Sequence, residues 1–125
     1  MRELRPRMSV CLLAMSVLGL AAGIGARADE LTFDLRIERG QLPVNLRRIR
    51  VKQNDLVRLR WSTDREIMLH LHGYDIEKKV EPGAVAEMSF TARATGRFPV
   101  SVHKPKQDGG HTHDPPLVHV EVHPR

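Results

Sequence analysis

Cysteine is almost missing from this sequence. Among 125 residues only Cys11 is present, and it lies inside the apolar run from Val10 to Ile24. It is too near the start of that run to be a lipidated first residue, so the chain beyond the run has neither a disulfide nor a thiolate metal ligand. Long apolar segments are missing too: the run is shorter than the ~20 residues a membrane span needs and is interrupted by Gly19 and Gly23. Outside it no stretch of ten or more residues shows a convincing helical period of 3.6, which excludes an amphipathic helical domain. Internal repeats and low-complexity segments are also absent.

What is present at the start is a targeting segment. The positive flank containing Arg2, Arg5 and Arg7, the apolar run, and the small-x-small triplet Ala26-Arg27-Ala28 read as a secretory signal peptide cleaved after Ala28. Pro6 separates Arg5 from Arg7, so the adjacent-arginine signal for export of folded proteins is excluded and general secretion is expected. Residues 1–28 are thus the signal peptide and 29–125 one domain, periplasmic or secreted, with no membrane span. Four of the twenty Lys/Arg and one of the fifteen Asp/Glu leave with the signal, so the balance falls from +5 to +2. No basic nucleic-acid surface is indicated. About 97 residues hold one modest core, stabilised by packing and by any metal that binds.

Short alternating segments fill the mature chain. Leu31, Phe33, Leu35 and Ile37 alternate with polar neighbours, as do Val57, Leu59 and Trp61, and Ile49 to Lys52 precedes the Asn54-Asp55 turn. Arg58 and Arg60, with Arg47, Arg48, Arg50 and Lys52, are expected on solvated strand surfaces. Glu66 to His72 puts Ile67, Leu69 and Leu71 on one face and Met68, His70 and His72 on the other. After Gly73 and a short extended piece, Tyr74 to Glu77, the segment Lys78 to Gly83 reads as a turn-rich connection. Val85 to Ala92 is a strand with Met88, Phe90 and Ala92 inward. Phe98, Val100 and Val102 form the next, and Pro99 within it predicts an edge position or a bulge. Val118, Val120 and Val122 close the chain. The pattern is that of an all-β sandwich.

All seven histidines follow residue 69. A metal-binding set is available from His70 or His72 at one strand end, His103 at another, and His111 or His113 in the loop that Gly109, Gly110, Pro115 and Pro116 tighten. Neutral imidazole is the commonest metal ligand, and alternate strand residues share a face ~7 Å apart. His119 and His123 fall on the outward face of the last strand, where a solvated role is expected. Imidazole-rich sites suit copper, with zinc as the second choice, and Met68 is the accessory soft ligand.

The order HGYD (residues 72–75), EPGAVAEMSFTA (81–92) and TGRFPVSVH (95–103), then a histidine-bearing loop and a closing strand, resembles the small cupredoxins. The resemblance covers most of residues 31 to 123. It implies a Greek-key β-sandwich, with His72 matching the first histidine ligand and His111 or His113 the histidine of the ligand loop. Val102 occupies the place of the blue-copper cysteine. A blue centre needs two imidazoles and a thiolate, so electron transfer through one is excluded. The expectation is a non-catalytic exported copper-binding protein for storage, delivery or sensing, with a metal-delivery protein as partner. The alternative is a metal-free interaction module. Hydrolysis by Ser101, His103 and Asp108 carries little weight, since no nucleophile-elbow pattern accompanies them.

Overall fold

The computed structural model describes residue 25, residues 27–103 and residues 115–125. Eight strands alternate buried and exposed side chains, as the sequence pattern requires: β1 Glu30–Ile37, β2 Arg48–Lys52, β3 Leu56–Thr63, β4 Ile67–Leu71, β5 Ile76–Val80, β6 Ala86–Thr91, β7 Gly96–His103 and β8 Val118–His123. A single 3-10 turn, Val44–Leu46, precedes β2. Three strands in the order β1-β3-β6 form one sheet, and five in the order β2-β8-β7-β4-β5 form the other. β1 and β2 belong to different sheets, so the chain crosses between them, and both β1–β3 and β2–β8 run parallel. The fold is an all-β sandwich of cupredoxin-like architecture.

Its core is the apolar set that alternation placed inward. Leu35, Ile37, Val57, Leu59 and Trp61 from the smaller sheet meet Leu69, Leu71, Val100, Val118 and Val120 from the larger, all essentially without solvent contact. Leu31 and Phe33 pack against this core but are only half-buried, at the start of an edge strand. Burial of this size stabilises by about 25 cal/mol per Å² of apolar surface removed from water, the dominant favourable contribution.

Two expectations are corrected. The turn-rich connection from Lys78 is instead β5: Ile76 to Val80 pair with Leu71 to Ile67. The charged run Glu77-Lys78-Lys79 hid the strand, since an edge strand keeps most of its side chains in water. The second correction concerns Pro99. Its strand β7 lies between β4 and β8, with no bulge in either register. The Pro99 carbonyl accepts the His72 N–H at 3.0 Å, so the proline nitrogen, on the same side of the strand, faces the backbone of His72, one residue past the end of β4. The pair therefore lacks its reciprocal bond, and the loss falls just past the end of β4, where the ladder between these strands is already finishing.

One end of the sandwich is clasped by Asp55, whose side chain is 2% exposed. Its oxygens accept the backbone N–H groups of Asp29 at 3.1 Å and Lys52 at 2.9 Å, and the Arg125 guanidinium pairs with it. Burial alone would raise this carboxyl's pKa; the two backbone donors and Arg125 outweigh it and hold the group below its ordinary value. The carboxylate thereby ties together the first strand, the β2–β3 turn and the last described residue.

Candidate metal centre

His70 lies on β4 and His72 immediately follows it, and both project from the outer face of the larger sheet. Their ring centroids are 4.2 Å apart, with the planes tilted by 51°. The shared face is the one alternation assigned. Gly73 then turns the chain with φ of +88°, and a Cβ there would stand 2.5 Å from the Phe98 ring. Glycine is needed for the backbone angle and for the close approach alike. The same ring meets Tyr74 edge-on at 4.8 Å, and Tyr74 packs on Phe90. Tyr74 Oη also donates to the Ala94 carbonyl at 3.0 Å. Partial burial raises the phenol's pKa, against the opposing effect of the Ala94 N–H, which donates to the same oxygen at 3.2 Å. The turn after the histidines is therefore anchored, and the imidazoles start from a fixed backbone.

Ser101 on β7 is the direct partner of His72. Their Oγ and Nε2 are 2.7 Å apart, with the donor set by the ring tautomer. His70 Nε2 lies 3.9 Å from Asp75 Oδ1, too far for a hydrogen bond. Met68 pairs across the ladder with His103, and His70 with Ser101, so His103 is diagonal to His70 on the same face. Such diagonal neighbours are separated by roughly 7–8 Å. His111 and His113 lie outside the described residues. Among the described residues, no group of three or more His, Cys, Asp or Glu is gathered closely enough to hold a metal ion. The described site is therefore an imidazole pair with a hydroxyl partner, with Met68 and His103 one step away.

Val102 packs against the core from the inner face of β7 and pairs with Leu69. His72 is three residues past Leu69, roughly 10 Å along the strand, and on the opposite face. The position matching the blue-copper cysteine and the first matched histidine are thus held apart by the thickness of the sheet.

His119 lies opposite Pro99 on β8, half-buried rather than freely solvated. Burial, then the fields of Arg97 and Arg48, lower its pKa against the contrary pull of Glu121. Glu121 lies within 4 Å of Arg48, Arg50, Arg97 and His123. Burial opposes its charge, but these guanidinium groups outweigh it and lower the carboxyl's pKa. Sequence reasoning missed Ser101 as the partner of His72 and Glu121 as a charge hub, because both roles depend on cross-strand register rather than on the pattern of one strand. Of the residues weighed for hydrolysis, Ser101 bonds to His72 and His103 pairs with Met68 across the ladder. Asp108 lies outside the described residues.

No family model matches the sequence, and no curated relative matches it. Solved structures do share its fold. A copper binding protein in the apo form superposes with a TM-score of 0.56 at 12% identity, covering 78% of this chain and 92% of that one. The periplasmic domain of subunit II of cytochrome oxidase (CoxB) of Bradyrhizobium japonicum gives 0.54 at 15% identity, covering 76% and 83%. The multicopper oxidase mgLAC gives 0.58 at 19% identity, covering 78% of this chain and 40% of the oxidase. At these identities the likeness establishes the cupredoxin-like fold.

Proposed function

We propose that this chain is an exported, non-catalytic copper-binding protein that holds its metal with imidazoles and no thiolate, and that it serves copper storage, delivery or sensing. The observation that carries the reading is the His70–His72 pair, 4.2 Å between rings, on a backbone fixed by Gly73 and Phe98. A fold shared with a copper binding protein supports the metal, and one shared with a periplasmic domain supports the compartment. His103 and the loop residues His111 and His113 are the groups available to complete the ligand set, with Met68 as a thioether for the reduced ion. The donor chemistry fits copper: adjacent imidazoles favour copper(II) by the usual order of divalent ions.

Copper would supply a Lewis-acidic, redox-active centre. The chain's own residues orient the ligands and set the partner of each ring nitrogen. Ser101 fixes the rotation of the His72 ring, the role that a hydrogen-bonded neighbour plays for most metal-binding histidines. If the His72 Nε2–H donates to Ser101, Nδ1 is the free lone pair, and the hydroxyl selects which nitrogen faces the metal. With valine at 102, nothing supports a blue-copper electron-transfer role.

Copper(II) titration of the chain beginning at Asp29 should give saturable binding. Replacement of His70, His72, His103, His111 and His113 together by alanine should abolish it, and unchanged affinity in that variant would overturn the reading. Metal analysis of protein isolated from its own compartment separates copper from zinc. A metal-free interaction module is favoured by one observation, the three exposed arginines that share the single carboxylate of Glu121. On that reading chelators would leave melting temperature unchanged.

A further inference from the structure

The outer face of the larger sheet carries more than histidines. Arg48, Arg50 and Lys52 alternate along β2, beside Glu121 and His123 on β8 and Arg97 on β7. Arg48, Arg50 and Arg97 approach Glu121 through Nε at 3.2, 3.3 and 3.9 Å, yet their side chains remain 54, 66 and 55% exposed. Among the described residues, one carboxylate positions three guanidinium groups and balances the charge of one. The row Arg48–His119–Pro99–His72 runs straight across β2, β8, β7 and the end of β4. Adjacent strands are ~4.8 Å apart, which brings the cationic end to roughly 14 Å from the imidazole pair.

We propose that this cationic end is the docking surface for an acidic partner protein that exchanges metal with the imidazole pair, an inference that rests on the metal-binding reading above. Arginine forks held by a common anchor suit the bidentate recognition of carboxylates. An open sheet face presenting several charged side chains at once fits a protein surface. Lipid fits less well, because the large apolar side chains exposed among the described residues are Val44 and Val85, and neither lies on these strands. Docking here leaves the histidines beneath the rim of the contact, where a ligand can pass between proteins.

The test uses fluorescence anisotropy of a labelled hexaglutamate peptide with the mature chain at low salt. Binding should weaken as salt rises, and should weaken about tenfold in Arg48→Glu/Arg50→Glu while changing less than about twofold in Arg58→Glu/Arg60→Glu. Equal loss in both double variants, or no binding by the parent chain, overturns the proposal. If the first variant does not fold, Arg97→Ala/Lys52→Ala should weaken binding in the same direction; no effect there is equally fatal. Anionic phosphatidylglycerol vesicles that bind when the peptide does not would overturn it in favour of a lipid surface. Copper affinity should be unchanged in Arg48→Glu/Arg50→Glu. A parent chain that binds peptide but no copper overturns metal exchange and leaves the contact surface standing, so the two readings fail separately.

We also infer, from the end of the sandwich that Asp55 clasps, that removal of the signal peptide after Ala28 switches on a stabilising ion pair. The Asp29 backbone nitrogen already donates to Asp55 Oδ1 at 3.1 Å. In the precursor that nitrogen is a neutral amide. After cleavage it is an α-ammonium beside a buried carboxylate, and a charge-assisted contact replaces an ordinary one. The Arg125 contact to the Arg27 carbonyl, 2.7 Å, is given up in exchange. The mature chain would thus hold its fold more firmly than the precursor, as general secretion of an unfolded precursor favours.

Melting of the chain beginning at Asp29 is compared with the same chain acetylated at its amino group. The acetylated chain should melt roughly 5 °C lower at neutral pH. An amine whose pKa is raised by a partner stabilises below its unfolded value of about 7.7–8.0, so the gap should close as pH rises through the higher folded value. Equal melting temperatures overturn the inference. Asp55→Asn should remove the gap; if that variant does not fold, titration of the parent's amino group by NMR decides, with a pKa at or below the ordinary value counting against the pair.

Discussion

The outer faces of the two sheets use arginine in opposite ways. On the smaller sheet each guanidinium has acids of its own: Arg60 meets Asp34 at 3.0 Å, Arg58 meets Glu30 at 2.8 Å and Glu87 at 3.7 Å, and Arg36 meets Glu38 at 2.7 Å. On the larger sheet Arg48, Arg50 and Arg97 share Glu121, with two histidine rings in contact beyond them. Local pairing cancels the field within a Debye length of ~8 Å and leaves a surface that water covers. Shared pairing leaves a net positive field at the protein's edge. Residue type does not decide which face has a function; the ratio of charges across the register does.

Removing the imidazoles should break this comparison most severely. His70→Ala/His72→Ala is expected to weaken copper(II) binding by at least about a hundredfold, or about 2.8 kcal/mol. Arg58→Ala on the opposite face should leave binding unchanged. Isothermal titration of both variants checks the contrast, and equal loss would mean that the metal lies elsewhere. Ser101→Ala offers a finer reading: affinity lowered ~10-fold, with melting temperature preserved, is the signature of an orienting partner.

Alternation makes the core legible. Leu35, Ile37, Val57, Leu59, Trp61, Leu69, Leu71, Met88, Val100, Val118 and Val120 are all identifiable as inward, because burial on one face imposes a period of two that no other constraint disturbs. β5 is obscured because an edge strand has little such burial. Pro99 misleads because its effect depends on which neighbour its nitrogen faces, a matter of register. For the same reason the arginines of β2 and β3 look like one solvated set, although the chain crossover puts them on different sheets. The His70–His72 pair needs only one strand to predict; its Ser101 partner needs two. The resemblance to cupredoxins carries the fold, while the separation of His72 from Val102 requires coordinates.

Gly73→Ala tests whether the imidazole pair depends on its anchored turn. The added methyl would meet the Phe98 ring at 2.5 Å, at a backbone angle that side chains rarely adopt. A loss of about 2 kcal/mol is expected, or roughly 8–16 °C in melting temperature for a domain of this size. Metal affinity should fall with it if the turn fixes the rings. A stable variant with unaltered affinity would separate the site from the turn.

Glu121→Gln removes the shared carboxylate and should turn three neighbouring guanidinium groups into an unrelieved repulsion. Melting temperature should fall at low salt and recover as salt screens the cluster. The pH dependence has the same origin. Because the Glu121 carboxyl is held below its ordinary pKa, its contribution is complete above the unfolded value and is lost as pH falls through the lowered folded value. The parent chain should therefore lose this part of its stability on acidification, and Glu121→Gln should not.

Asp34→Asn on the smaller sheet should do least. Its partner Arg60 is 46% exposed and the carboxylate 76%, so water solvates both groups almost as well apart as together. Pairs of this kind contribute about 0.2–1 kcal/mol, and less as salt rises. The expected change in melting temperature is below about 8 °C, with no change in copper affinity or peptide binding. Denaturant titrations of Asp34→Asn and Glu121→Gln at matched low and high salt make the comparison direct. If the smaller sheet is neutral because each charge is paired locally, the salt dependence of Asp34→Asn will match the parent chain's, while that of Glu121→Gln will be steeper. Equal slopes would mean that the two faces differ in charge count alone, and that the convergence of arginines on Glu121 has no separate energetic consequence.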